Sequence, residues 1–130
     1  MKKLLFSGAN GFVGSELLPI LKNNYIVSTL GLGNENTYNY NLVSDNFEIT
    51  EKFEVVLHAA GKAHTIPRTP EEVKLFFDVN FTGTINLCNS LEKNPPNSFI
   101  FLSSVAVYGC ESGSDISEDH ALIGSTPYAK

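Results

Sequence analysis

A short apolar run, Lys3 to Phe6, leads into Gly8-Ala9-Asn10-Gly11-Phe12-Val13-Gly14, and a helical pattern begins at Phe12 with no spacer between them. This junction restricts the fold more than any other feature of the chain. A strand, a glycine turn and a helix in immediate succession form the context in which a glycine pattern points to a dinucleotide site. Gly8 can make the tight turn, Gly11 leaves room for a pyrophosphate to approach the backbone, and Gly14 allows close helix-to-strand packing. The first helical turn also has N–H groups without intrahelical partners, which favour an anion. Gly8, Gly11, Phe12, Val13 and Gly14 are therefore the first candidate cofactor-binding residues.

The pattern continues as alternating strands and helices. Val13, Leu17, Ile20 and Leu21 fall at helical spacing, and Pro19 predicts a kink or an early end to that helix. Tyr25 to Leu30 reads as a second strand, Gly31 to Asn36 as punctuation, and the alternating Tyr38, Tyr40 and Leu42 as a third strand. Val43 to Glu54 leaves room for a short helix of about one or two turns before Val55-Val56-Leu57, a fourth strand ending at His58. Thr69-Pro70-Glu71-Glu72 is a helix start, with Thr69 as cap and Glu72 returning a bond to it. Val73, Phe76, Phe77, Phe81, Thr84, Cys88 and Leu91 mark one long apolar stripe that Pro95-Pro96 ends, and Phe99 to Leu102 is a fifth strand. These elements predict one α/β domain over 1–130, a Rossmann-type parallel sheet in the order 3-2-1-4-5 with helices on both faces.

Composition narrows the partners. The net charge of -5 argues against nucleic acid, which is bound through clustered basic residues, and favours a small-molecule ligand. The two cysteines, Cys88 and Cys110, are too few for a disulfide framework and are read as reduced thiols in packing or surface roles. The apolar start is cut short by Ser7-Gly8, too early for an export signal, and no run approaches membrane-spanning length. A cytoplasmic protein without a metal site is the expectation.

Further motifs sharpen this reading. His58-Ala59-Ala60-Gly61, Asn80 within Val79-Asn80-Phe81-Thr82-Gly83-Thr84, Ser103-Ser104-Val105-Ala106-Val107-Tyr108-Gly109 and Pro127-Tyr128-Ala129-Lys130 follow the G-x-x-G-x-x-G loop in order. Together they resemble the extended branch of the short-chain dehydrogenase/reductase superfamily, the NAD-dependent epimerase/dehydratases, over the entire chain. The resemblance implies hydride transfer at a carbon of a nucleotide-linked sugar, with Tyr128 as catalytic acid/base and Ser104 orienting the substrate hydroxyl. It implies cofactor contacts from Asn41, Leu42, Ala59, Ala60, Gly61, Asn80 and Ser103. His58 is read instead as a satisfied strand-end histidine. Asn80 is notable on its own, because a carboxamide on an apolar stripe must find partners.

The chain departs from the pattern at three points. The second strand ends in Leu30-Gly31 where relatives often carry an acid for the ribose hydroxyls, yet no Lys or Arg occurs from Asn23 to Glu51 to meet a 2'-phosphate. NAD is therefore favoured over NADP. Asn41-Leu42 stands where relatives commonly have an aspartate and an apolar residue at the adenine. The family's Y-x-x-x-K would place its lysine beyond Lys130, so we expect an N-terminal portion, truncated before the final strands and C-terminal substrate region and inactive alone. The resemblance also implies a homodimer of the full-length parent through two neighbouring helices, that from Thr69 to Asn94 and one starting near Tyr128. Without the second helix, Phe76, Phe77 and Phe81 would leave an apolar patch prone to self-association. A nucleotide-sugar reductase and a non-catalytic dinucleotide sensor are the competing readings; retention of Ser104 and Tyr128 argues against the sensor.

Overall fold

Leu4, Leu5, Phe6 and Ser7 are consecutive and all buried, so the first strand is covered on both faces. The computed structural model describes the whole chain, Met1–Lys130. It places this strand, β1 (Lys2–Ser7), at the centre of a five-stranded sheet in the order β3-β2-β1-β4-β5. The others are β2 (Tyr25–Gly31), β3 (Tyr38–Asn39), β4 (Val55–His58) and β5 (Ser98–Phe101), and every pairing is parallel. The expected strand order holds.

Side chains alternate across β1 as a pleated strand requires. Leu4 and Phe6 join Ala9 and Leu57 on the face covered by α1 (Phe12–Lys22), whose Leu17, Leu18 and Leu21 pack against them. Leu5 points to the opposite face with Leu30, Ile49, Phe53, Val56, Leu87 and Leu91. The helical stripe of α1 thus differs from the expected one: Ile20 is 60% exposed and Leu18 takes its place. Nor does Pro19 end the helix. It continues to Lys22 because Leu21, in the last turn, is held against the sheet.

Two predicted elements are shorter than their sequence pattern. β3 stops at Asn39, since the Tyr40 N–H still reaches the Gly31 carbonyl (3.2 Å) but Asn41 then closes a turn. Its Oδ1 accepts from the Val43 N–H (2.9 Å) and its own N–H donates to Asp45 Oδ2 (2.6 Å). No helix forms between this turn and β4. The segment runs irregularly instead, which lets Ile49 and Phe53 reach the core beneath the later helix, with the Ile49 N–H donating to the Ser90 carbonyl (3.0 Å).

The long helix is interrupted. α2 (Pro70–Phe77) and α3 (Gly83–Ser90) are joined by a π-helical turn, Asp78–Thr82. Thr69 caps α2 by accepting from the Glu72 N–H (3.3 Å), but Glu72 returns its bond to the Arg68 N–H (2.5 Å) rather than to the cap itself. A π turn inserts an extra residue and so rotates the following face by about 100°. The buried stripe is consequently Phe76, Gly83, Leu87, Ser90 and Leu91, while Phe77 and Phe81 are 55% and 54% exposed and stack on each other at 4.8 Å. Phe76 does not belong to the exposed patch expected from sequence: it is 1% exposed, with the Lys62 ammonium over its ring.

Candidate functional site

In a parallel sheet all strands end on the same side, and the order reverses between β1 and β4. Ligands of such sheets bind in the crevice beyond the carboxyl ends at that switch point. The loops gathered there are Gly8–Gly11, Leu32–Thr37, Ala59–Lys62 and the segment after β5. Three backbone bonds tie them to neighbouring strands: the Gly8 N–H to the Leu30 carbonyl (3.2 Å), the Ala59 N–H to Ser7 (3.0 Å) and the Leu102 N–H to His58 (3.0 Å).

The three glycines have different reasons for being glycine. Gly8 adopts φ +79, and a Cβ there would lie 2.5 Å from the Ala60 nitrogen. A Cβ on Gly14 would lie 2.1 Å from the Gly8 carbonyl oxygen. Both are demanded by the protein's own packing. Gly11 is not: its φ is -75, and a Cβ would touch only the Gly8 oxygen, at 3.3 Å. Space is open above it, at the end of α1, where no side chain caps the first N–H groups. Phe12 and Val13 follow, 85% and 41% exposed, so the first turn of the helix is unobstructed. An anion fits this position on the chemistry of its donors.

Beyond β4, Ala59, Ala60 and Gly61 run beside the glycine loop, and Asn80 fixes the next residue. Its Oδ1 accepts from the Lys62 N–H (2.7 Å) and its Nδ2 donates to the Lys62 carbonyl (3.0 Å). The partners that a carboxamide on an apolar stripe required are thus backbone groups, reached from the π turn.

A buried relay, unseen in the sequence, stands behind this clamp. His58 is 1% exposed, with Nδ1 2.5 Å from Ser7 Oγ and Nε2 2.9 Å from Thr84 Oγ1. Thr84 donates its proton to the Asn80 carbonyl (2.6 Å), so it accepts from His58 Nε2, and Nδ1 in turn accepts from Ser7. Burial holds the imidazole neutral, its pKa pushed down from 6.5 to about 4. The relay therefore joins β1, β4 and the π turn. Its only sequence signal was a histidine at a strand end.

The remaining candidates are less closely gathered. Leu42 packs against the core, and its carbonyl accepts from Asn86 Nδ2 (2.8 Å). Asn41 uses its side chain in the turn already described. Ser103 is exposed, and Ser104 caps a 3₁₀ turn, Val105–Tyr108, by accepting from the Ala106 N–H (3.2 Å). Tyr128 is 40% exposed in a turn opened by Thr126, whose Oγ1 accepts from the Ala129 N–H (3.2 Å). No hydrogen bond joins Tyr128 to Ser104.

A doubly wound parallel sheet with a glycine loop and a helix N-terminus at the switch point defines a Rossmann-type architecture. Residues 4–130 match the NAD dependent epimerase/dehydratase family, and the chain belongs to that family. A UDP-glucose 4-epimerase of Vibrio cholerae is 32% identical over 119 residues, which cover 83% of this chain and 36% of that protein. Among solved structures, RMD from Pseudomonas aeruginosa complexed with NADPH is 27% identical with a TM-score of 0.75, covering 99% of this chain and 45% of the other. The fold is also that of a UDP-N-acetylglucosamine 4-epimerase from Methanobrevibacter ruminantium (TM-score 0.80, 23% identical), matched over 98% of this chain and 46% of that one. The chain thus spans less than half the length of these relatives. None of its helices is long and apolar enough to cross a membrane, and both cysteines are free and exposed.

Proposed function

We propose that this chain forms the dinucleotide-binding part of a nucleotide-sugar epimerase/dehydratase, with NAD preferred over NADP. The observation that carries the reading is the contrast among the glycines: packing explains Gly8 and Gly14, whereas a Cβ on Gly11 would meet only the Gly8 carbonyl oxygen, at 3.3 Å, at an uncapped helix N-terminus. A pyrophosphate is the group that would need that space. Ala59, Ala60 and Gly61 would border the cofactor, with Asn80 holding the loop in place through Lys62. Asn41, Leu42 and Ser103 complete the proposed cofactor contacts at the periphery.

When bound, the dinucleotide supplies the hydride acceptor. The chain's own tasks are to bind it, to orient a sugar hydroxyl through Ser104 and to move that hydroxyl's proton through Tyr128. Homodimerisation of the longer enzyme and a cytoplasmic location belong to the same reading. Calorimetric titration with NAD, NADP and UDP-sugars tests it. Replacing Gly11 with valine should weaken the binding of both dinucleotides while leaving the fold intact; unchanged affinity would remove the loop from the site.

A further inference from the structure

The end of β2 carries no acid, yet the loop that follows it brings one back. Gly33 adopts φ +105, and the Asn36 amide braces the turn by donating to the Leu32 carbonyl (2.9 Å) and the Gly33 carbonyl (3.3 Å). The Gly33 N–H donates to Asn39 Oδ1 (3.0 Å), and Asn39 Nδ2 to Asn34 Oδ1 (3.0 Å). Thr29 and Thr37 exchange reciprocal side-chain and backbone bonds at 3.1 Å below it. A loop bonded this densely is set in one shape before any ligand arrives.

That shape folds Glu35 over Gly33. A Cβ on residue 33 would lie 2.3 and 2.4 Å from the two carboxylate oxygens, so the glycine is what admits them. Glu35 Oε1 then accepts from Asn10 Nδ2 at 2.7 Å, and Asn10 lies between Gly8 and Gly11 in the glycine loop. The other oxygen accepts no hydrogen bond from the protein. A carboxylate with a free oxygen therefore stands at the rim of the glycine loop, between the ends of β1 and β2. In a switch-point site that is where the adenosine ribose lies.

We propose that Glu35 is the residue that selects NAD over NADP, its carboxylate accepting the adenosine ribose hydroxyls in place of the acid missing from the end of β2. The inference rests on the dinucleotide-site reading above. A 2'-phosphate would meet this carboxylate at close range, and from Asn23 to Glu51 no Lys or Arg offers a counter-charge. Asn10 acts as a positioning residue by holding the carboxylate against the glycine loop.

The test is calorimetric titration of the 130-residue chain with NAD and with NADP, for the parent sequence, Glu35→Gln and Glu35→Arg. Glutamine keeps the size and the bond from Asn10 but removes the charge. The parent should favour NAD; Glu35→Gln should narrow the ratio of the two affinities by about tenfold or more, and Glu35→Arg should move it further toward NADP. A parent that binds NADP as tightly as NAD, or a ratio unchanged in both variants, would overturn the role of Glu35 and leave the dinucleotide site standing. A parent that binds neither dinucleotide would overturn both. Gly11→Val separates the two ideas, because it should weaken both dinucleotides alike without altering their ratio.

Discussion

β1 and β5 are parallel strands of one sheet, yet the last four residues of β1 are buried while all four residues of β5 are exposed. Phe99, Ile100 and Phe101 are 37%, 50% and 51% exposed, and no residue beyond Leu91 is fully buried. The difference separates two tasks. The loops proposed to hold the dinucleotide leave strands covered on both faces, so packing and backbone bonds fix their positions. Ser104 and Tyr128 sit in the region without a buried core, where capping bonds shape their turns and a backbone bond from the Gly124 N–H to the Val107 carbonyl (3.0 Å) ties the two segments together. The proposed binding and the proposed chemistry would thus rest on parts of unequal burial within residues 1–130.

The largest expected effect divides binding from turnover. A polypeptide of residues 1–130 should epimerise UDP-sugars at least roughly 10²- to 10⁴-fold more slowly than a full-length relative, because no packed helix holds Tyr128 within reach of a substrate proton. A coupled epimerisation assay measures this. Turnover comparable with the full-length enzyme would break the comparison and assign Ser104 and Tyr128 other roles.

Next in size is the pH dependence of the rigid half. His58 has a pKa of about 4 in the folded protein against 6.5 for the exposed group. Between these values the unfolded chain takes up a proton that the folded chain refuses, so stability is complete above pH 6.5 and is lost as pH falls through that window. The full difference corresponds to roughly 3 kcal/mol. Urea unfolding at pH 7 and pH 5 should show the decline, and His58→Gln should flatten it between those two conditions. An equal decline in the variant would mean that other groups cause it.

The smallest effect concerns the stacked pair Phe77 and Phe81 on the long helix. Replacing either one with serine should cost about 1 kcal/mol of stability, since each is already half exposed. The same change should reduce self-association measured by light scattering at high concentration. A parent chain that stays strictly monomeric there would show that the patch drives nothing.

Much of the frame was legible in the residues themselves. The glycine turn, the Thr69-Pro70 helix start and the β-branched run before His58 act through local sterics and capping, and local rules carry them into the structure. The five strands and their order follow from the alternation of these elements. The misreadings came where distant contacts outweigh periodicity. Pro19 did not stop α1, the third strand closed early on an asparagine turn, and of the expected helical stripe Phe76 and Leu91 are buried whereas Phe77 and Phe81 lie outside the core.

What the sequence determined by itself is therefore the architecture and the crevice in which a dinucleotide would lie, because both depend on short segments whose conformation their own side chains dictate. Tertiary structure alone decided which faces are buried and how the crevice is furnished. The π turn at Asp78–Thr82 rotates the helix face, the Ser7–His58–Thr84 relay joins residues 51 and 26 positions apart, and Asn10 meets Glu35 across 25. Contacts of that range leave no periodic trace in a sequence, since they arise only when the packed sheet brings the ends of its strands together.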